Sequence, residues 1–166
     1  MTLEHVTVVL AIFTAASAVG TFWLAWESKQ SSYRQIGVQT WLTLEARFDS
    51  QEMMQARKKF AQQLKTYAVT KHDKISENVL NFLESVGIAY KEGYLNRKLA
   101  DSSFSYYAVR YWEASKAYID REQKIHGEDT TLFEDFKDMA TLMRSPDEKI
   151  DAEEIELFLV AEIRLD

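Results

Sequence analysis

The chain has 166 residues, no cysteine, five glycines, one proline and a formal net charge of −6. Without cysteine there can be no disulfide framework, no thiolate nucleophile and no cysteine-ligated zinc, and the negative balance speaks against long nucleic acid as a partner. So little glycine and proline leaves long uninterrupted periodic segments, which predicts an all-α fold.

From Val6 to Trp26 the sequence reads VTVVLAIFTAASAVGTFWLAW, without one charged residue. As a helix this run spans about 30 Å, the hydrocarbon thickness of a bilayer. Trp23 and Trp26 sit at one end, where indoles favour the lipid–water boundary, and Glu27, Ser28 and Lys29 stop the run. Met1 to His5 carry no Lys or Arg, and Trp-Leu-Ala-Trp offers no small-residue cleavage site, so a retained anchor fits better than a cleaved signal. The expectation is a single N-terminal transmembrane helix over residues 1–27, then a helical connector over 28–48 and a cytoplasmic helical domain over 49–166. Lys29 and Arg34 follow the span and no cation precedes it, which places the body in the cytoplasm and the anchor in the inner membrane.

The span carries a marked face. Thr7, Ala11, Thr14, Ala18 and Thr21 form a heptad seam of small or hydroxyl residues, and its register continues through Ala25, Ser28, Ser32 and Gln35. In lipid, small seams let helix backbones approach closely, so the seam points to a homo-oligomer, with a hydroxyl-lined pore as an alternative. An accidental composition is the bland alternative, since small residues are common in membrane helices.

The body is expected to hold about five helices. Asp49-Ser50-Gln51-Glu52 reads as a capping box, followed by a face of Met53, Phe60, Ala61, Leu64 and Tyr67. Arg57 falls on that same face, where a guanidinium needs a carboxylate partner or serves as an anchor for a ligand such as phosphate. Val79, Phe82, Leu83, Val86 and Tyr90 mark the next helix, with Asn81 and Glu84 off the stripe and Gly93 as its end. A turn with a short helical piece is read over 94–103, then a long helix from Phe104 to His126. Its aromatic stripe, including Tyr107, Tyr111, Trp112 and Tyr118, suits core packing better than nucleobase stacking. Thr131 to Glu134 reads as another capping box. The last helix, with Ile155, Phe158, Leu159 and Ile163, has two competing starts, Ser145-Pro146-Asp147-Glu148 and Asp151-Ala152-Glu153-Glu154.

Catalytic signatures are missing: there is no glycine-rich phosphate loop, no H-E-x-x-H and no G-x-S-x-G elbow. His5, His72 and His126 are scattered, and the acidic clusters sit on expected wet faces. No enzyme, no catalytic residue, no metal site and no cofactor is expected. Arg57, Lys58, Arg97, Lys98 and Arg110 are the candidate cations for a small anionic ligand held between subunits.

Arg57, the run Asn81-Phe82-Leu83-Glu84-Ser85-Val86-Gly87, Gly93, and Trp112 with Ile119 and Arg121 resemble an uncharacterised bacterial family, a domain of unknown function. The likeness covers about residues 5–140. It implies one N-terminal membrane span followed by a compact helical cytoplasmic domain, and it brings no activity with it. In plan the chain is also similar to small membrane effectors of phage defence, including those answering cyclic oligonucleotides, an analogy of architecture alone. The expected function is a membrane-anchored oligomeric sensor–effector, its partners being the lipid bilayer, itself and a small anionic ligand; a passive membrane-tethered scaffold is the alternative.

Overall fold

The computed structural model describes the backbone of residues 3–70, 75–127 and 129–165, with side chains from Gly20 to Tyr67 and through the later two segments. All regular structure among the described residues is helical: α1 (Leu3–Phe48), α2 (Gln51–Thr70), α3 (Asn78–Lys91), α4 (Arg97–Ile125), α5 (Glu134–Met143) and α6 (Ala152–Ile163). The chain divides into two compact units, Met1–Ile36 and Gly37–Asp166.

In the first unit, Phe22, Trp23, Leu24 and Trp26 are all more than half exposed. Thr21 of the small-residue seam is exposed too. Thr7, Ala11, Thr14 and Ala18 lie outside the residues whose side chains are described, as do His5, His72 and most of the uncharged run. Among the described residues no helix is long and apolar enough to cross a membrane.

The second unit, residues 37–166, takes in the end of the stretch read as a connector. Here α1 joins the body. Phe48 is buried, stacking on Phe82 at 5.6 Å and meeting Phe104 edge-on at 5.7 Å. Trp41 donates its indole N–H to Ser103 Oγ (3.0 Å), and that hydroxyl donates on to Glu45 (3.0 Å). The core is aromatic: Phe60, Phe82, Phe104, Tyr111, Tyr118 and Phe136 are essentially without solvent contact. The stripe on α4 is therefore packing surface, each ring burying a large apolar area. The most extensive pairings are α3 with α5, α2 with α6 and α4 with α5.

Two helix starts differ from those expected and a third decides between the two offered, each for a local reason. Ser50, one place after Asp49, caps α2 by accepting the N–H of Met53 at 3.2 Å. α4 begins at Arg97 without a break at 103, because Asn96 caps it by accepting from Leu99 N–H at 3.2 Å. Ahead of it, Gly93 takes the left-handed conformation (φ 74°) that reverses the chain after α3. The last helix uses the second of its two starts, with Asp151 accepting from Glu154 N–H at 2.9 Å.

The Thr131–Glu134 capping box does not form. Thr131 instead donates its hydroxyl and amide to Asp129 (2.6 and 3.0 Å), and Phe133, at φ 61°, precedes α5 without a side-chain cap of its own.

Candidate functional site

The polar centre of the body lies where α2, α4 and α6 meet. Arg57 projects from the apolar face of α2 and is 3% exposed; Glu162 projects from the apolar face of α6 and is 4% exposed. The guanidinium donates from Nε to Glu162 Oε2 (2.8 Å) and from Nη2 to Oε1 (2.7 Å), the two-pronged geometry that suits arginine and carboxylate. Tyr111 of α4 donates its hydroxyl to the same Glu162. The flat guanidinium also lies over the rings of Phe48 (4.1 Å to centroid) and Tyr107 (4.7 Å), cation–π contacts strengthened by exclusion of water.

Burial acts to lower the Arg57 pKa, but the hydrogen bond and charge of Glu162 outweigh it and hold the guanidinium above its ordinary value. Burial, then the neighbouring Glu162 charge, push the Tyr111 phenol well above its ordinary value, so it acts as a fixed proton donor. The three groups satisfy one another and face no solvent. Their chemistry is to hold α6 in place.

The other candidate cations are not gathered around Arg57 into one site. Lys58, one residue on, donates to the carbonyl oxygen of Leu165 (3.0 Å). Arg110 lies flat on the Tyr106 ring (3.9 Å) and pairs with Glu154 and with Glu148 (3.4 Å) of the acidic segment before and within α6. Arg97 lies near the Tyr90 ring (5.3 Å) at the start of α4, and Lys98 beside it is exposed. The acidic C-terminal segment thus packs on the body, with its carboxylates facing Arg57, Arg110 and Lys65.

An open polar cleft of about 550 Å³ lies between the start of α2 and the start of α3. Arg47, Lys59, Gln55, Asn78 and Asn81 line it together with one acid, Glu52. Arg47 rests on the Phe82 ring (5.5 Å). No local spacing joins Arg47 and Lys59, since they sit on different helices. Among the described residues no group of His, Asp and Glu could hold a metal ion.

The run Asn81-Phe82-Leu83-Glu84-Ser85-Val86-Gly87 has a structural role. Glu84 accepts the backbone N–H of Asp135 (3.3 Å) and of Phe136 (2.7 Å), capping α5 from the neighbouring helix. The close approach requires Gly87: a Cβ there would lie 2.5 Å from the Asp135 carbonyl oxygen. Burial pushes the Glu84 carboxyl above its ordinary value, although the two backbone donors oppose the rise.

Neither the curated proteins nor the solved structures contain a match to this chain. A family model does match it, over residues 2–143, and on that span, which takes in α1 to α5, the chain belongs to the family described as DUF4760, a domain of unknown function.

Proposed function

We propose that the chain is a membrane-anchored, oligomeric, non-enzymatic sensor–effector. Its anchor is the uncharged run from Val6 to Trp26, a single pass through the inner (cytoplasmic) membrane with the helical body in the cytoplasm. The observation that carries this reading is the apolar load of the first unit: Phe22 (72% exposed), Trp23, Leu24 and Trp26 are each more than half exposed, while residues 37–166 enclose a core of their own. Such a surface calls for lipid or for other copies of the helix. The seam Thr7, Ala11, Thr14, Ala18 and Thr21 is the surface through which copies would pack, and the Arg47–Lys59 cleft is where a small anionic ligand such as a cyclic oligonucleotide would be received.

The test replaces Ala11 and Ala18 by Leu in the full-length chain. Overexpression of the native chain is expected to depolarise the membrane, and the variant to form smaller oligomers in detergent and to leave the potential intact. Unchanged oligomer size and unchanged depolarisation overturn the reading. One observation favours the passive scaffold instead: Arg57 and Arg110 are already paired within the chain. A scaffold leaves the membrane potential intact when overexpressed.

A further inference from the structure

We infer that the groove between α2 and α4 is an exchangeable seat for α6, and that in an assembly of this chain the α6 of one copy occupies the groove of another. This rests on the oligomeric part of the proposed function and goes beyond it, by giving the body a contact of its own between copies.

The groove has the anatomy of a protein–protein interface. Its centre is a buried arginine among aromatic rings, the residue types that dominate binding hot spots. Arg57 lies against Phe48 and Tyr107, while Tyr111 and Tyr106 meet the Phe158 ring edge-on at 4.8 and 5.9 Å. Around this centre runs a polar rim, in which Lys65 pairs with Glu156 and Arg110 with Glu154.

The occupant is equally defined. α6 inserts one stripe, Phe158, Leu159 and Glu162, and leaves Leu157 exposed on its far side. Its twelve residues are at the length where an isolated helix is marginal in water, so docking is what keeps it helical. This is the helix-in-groove mode of recognition.

The connection is open at its middle: residues 144–151 join α5 to α6, Arg144 pairs with Glu113 (2.6 Å) and Glu148 with Arg110 (3.4 Å), and between these two tethers Ser145, Pro146 and Asp147 are exposed. The family match ends at residue 143, so the groove belongs to the shared domain and its occupant lies outside the matched span. α6 supplies the acid and the ring that the groove receives, which makes a second copy's α6 the fitting competitor. Exchange of an identical element between copies is a low-cost route to assembly, because it forms the same contacts twice.

The absence of cysteine makes a direct test available. Two full-length chains are purified in detergent, one carrying Lys65→Cys and the other Glu156→Cys, a pair that meets across the seat. They are mixed, incubated and treated with a short bis-maleimide, which suits two positions whose side-chain tips meet, since a direct disulfide needs Cα atoms within about 7 Å. Exchange yields a cross-linked heterodimer in excess of either homodimer, and Glu162→Gln in the Glu156→Cys chain lowers its yield several-fold. A chain carrying both substitutions serves as the internal standard, since its intrachain cross-link reports that the seat is intact. Formation of the intrachain link without the heterodimer overturns the inference, as does a heterodimer yield indifferent to Glu162→Gln. Oligomer size in the same samples separates the two proposals: oligomers without the heterodimer remove the exchange and leave the anchor reading standing.

Discussion

Helices α5 and α6 are both short, and each is held to the body by apolar packing, outer ion pairs and one further carboxylate, yet the two attachments work differently. Glu84 reaches from α3 to the free backbone amides that open α5. Glu162 reaches from α6 itself to a side chain, Arg57, in the interior. The first is a partly solvated cap that depends on the closeness of two backbones. The second is a desolvated ion pair whose removal leaves a charge stranded. α5 is thus welded to the family domain by shape, and α6 is plugged into it by charge. A helix fixed by backbone proximity has no alternative partner; one fixed by a side-chain pair can be matched by any helix that offers the same acid.

The largest effect is expected at the plug. Glu162→Gln leaves the Arg57 guanidinium buried without its counter-charge and should cost about 3–5 kcal/mol in urea unfolding. Replacing all three mutually bonded groups by apolar residues, Arg57→Met and Glu162→Leu with Tyr111→Phe, should recover most of that loss, since no buried polar group is then left without a partner. If the triple variant is as unstable as the single one, the trio is not an isolated polar contact.

Next comes the weld. Gly87→Ala forces a Cβ against the Asp135 backbone and should cost about 1–3 kcal/mol, because backbone cannot step aside as a flexible side chain can. The same variant should leave the contacts of α6 unchanged, which hydrogen exchange along the two helices would show.

A smaller effect follows at Glu84, where the cap contributes about 0.5–2 kcal/mol. Its pH dependence is opposite to that of an ordinary paired acid. The folded pKa is raised above its ordinary 4.5, so the native state keeps a proton that the unfolded chain has already lost. Stability from this group is therefore fully present below pH 4.5 and declines as pH rises through the raised value. Urea midpoints across that window should fall in the native chain, and the fall should be reduced in Glu84→Gln. A fall of equal size in both would assign the pH dependence to another group.

The smallest effect is at the rim: Lys65→Ala removes a largely exposed ion pair and should change stability by less than about 1 kcal/mol.

Much of the fold was legible because periodicity reports on packing. The stripes on α2, α3 and α4 named the buried faces, and Arg57 on an apolar stripe announced its need for an acid. That acid could have been found: Glu162 falls four residues after Phe158 on the apolar face of α6, the same anomaly with opposite charge. What could not be read was anything joining distant segments. Thr131 and Glu134 had capping-box spacing, but the cap came from Glu84, half the body away in sequence. Gly87 could be read as a site of close approach, though not against which backbone. Arg47 and Lys59 share a cleft only because of how α1, α2 and α3 assemble.

The uncharged run from Val6 to Trp26 carries the proposed role of the chain, and alkaline carbonate extraction of cells expressing the full-length protein tests it most directly. Retention in the membrane pellet after carbonate and high salt is the expected result. Release of intact chain into the aqueous supernatant would contradict it.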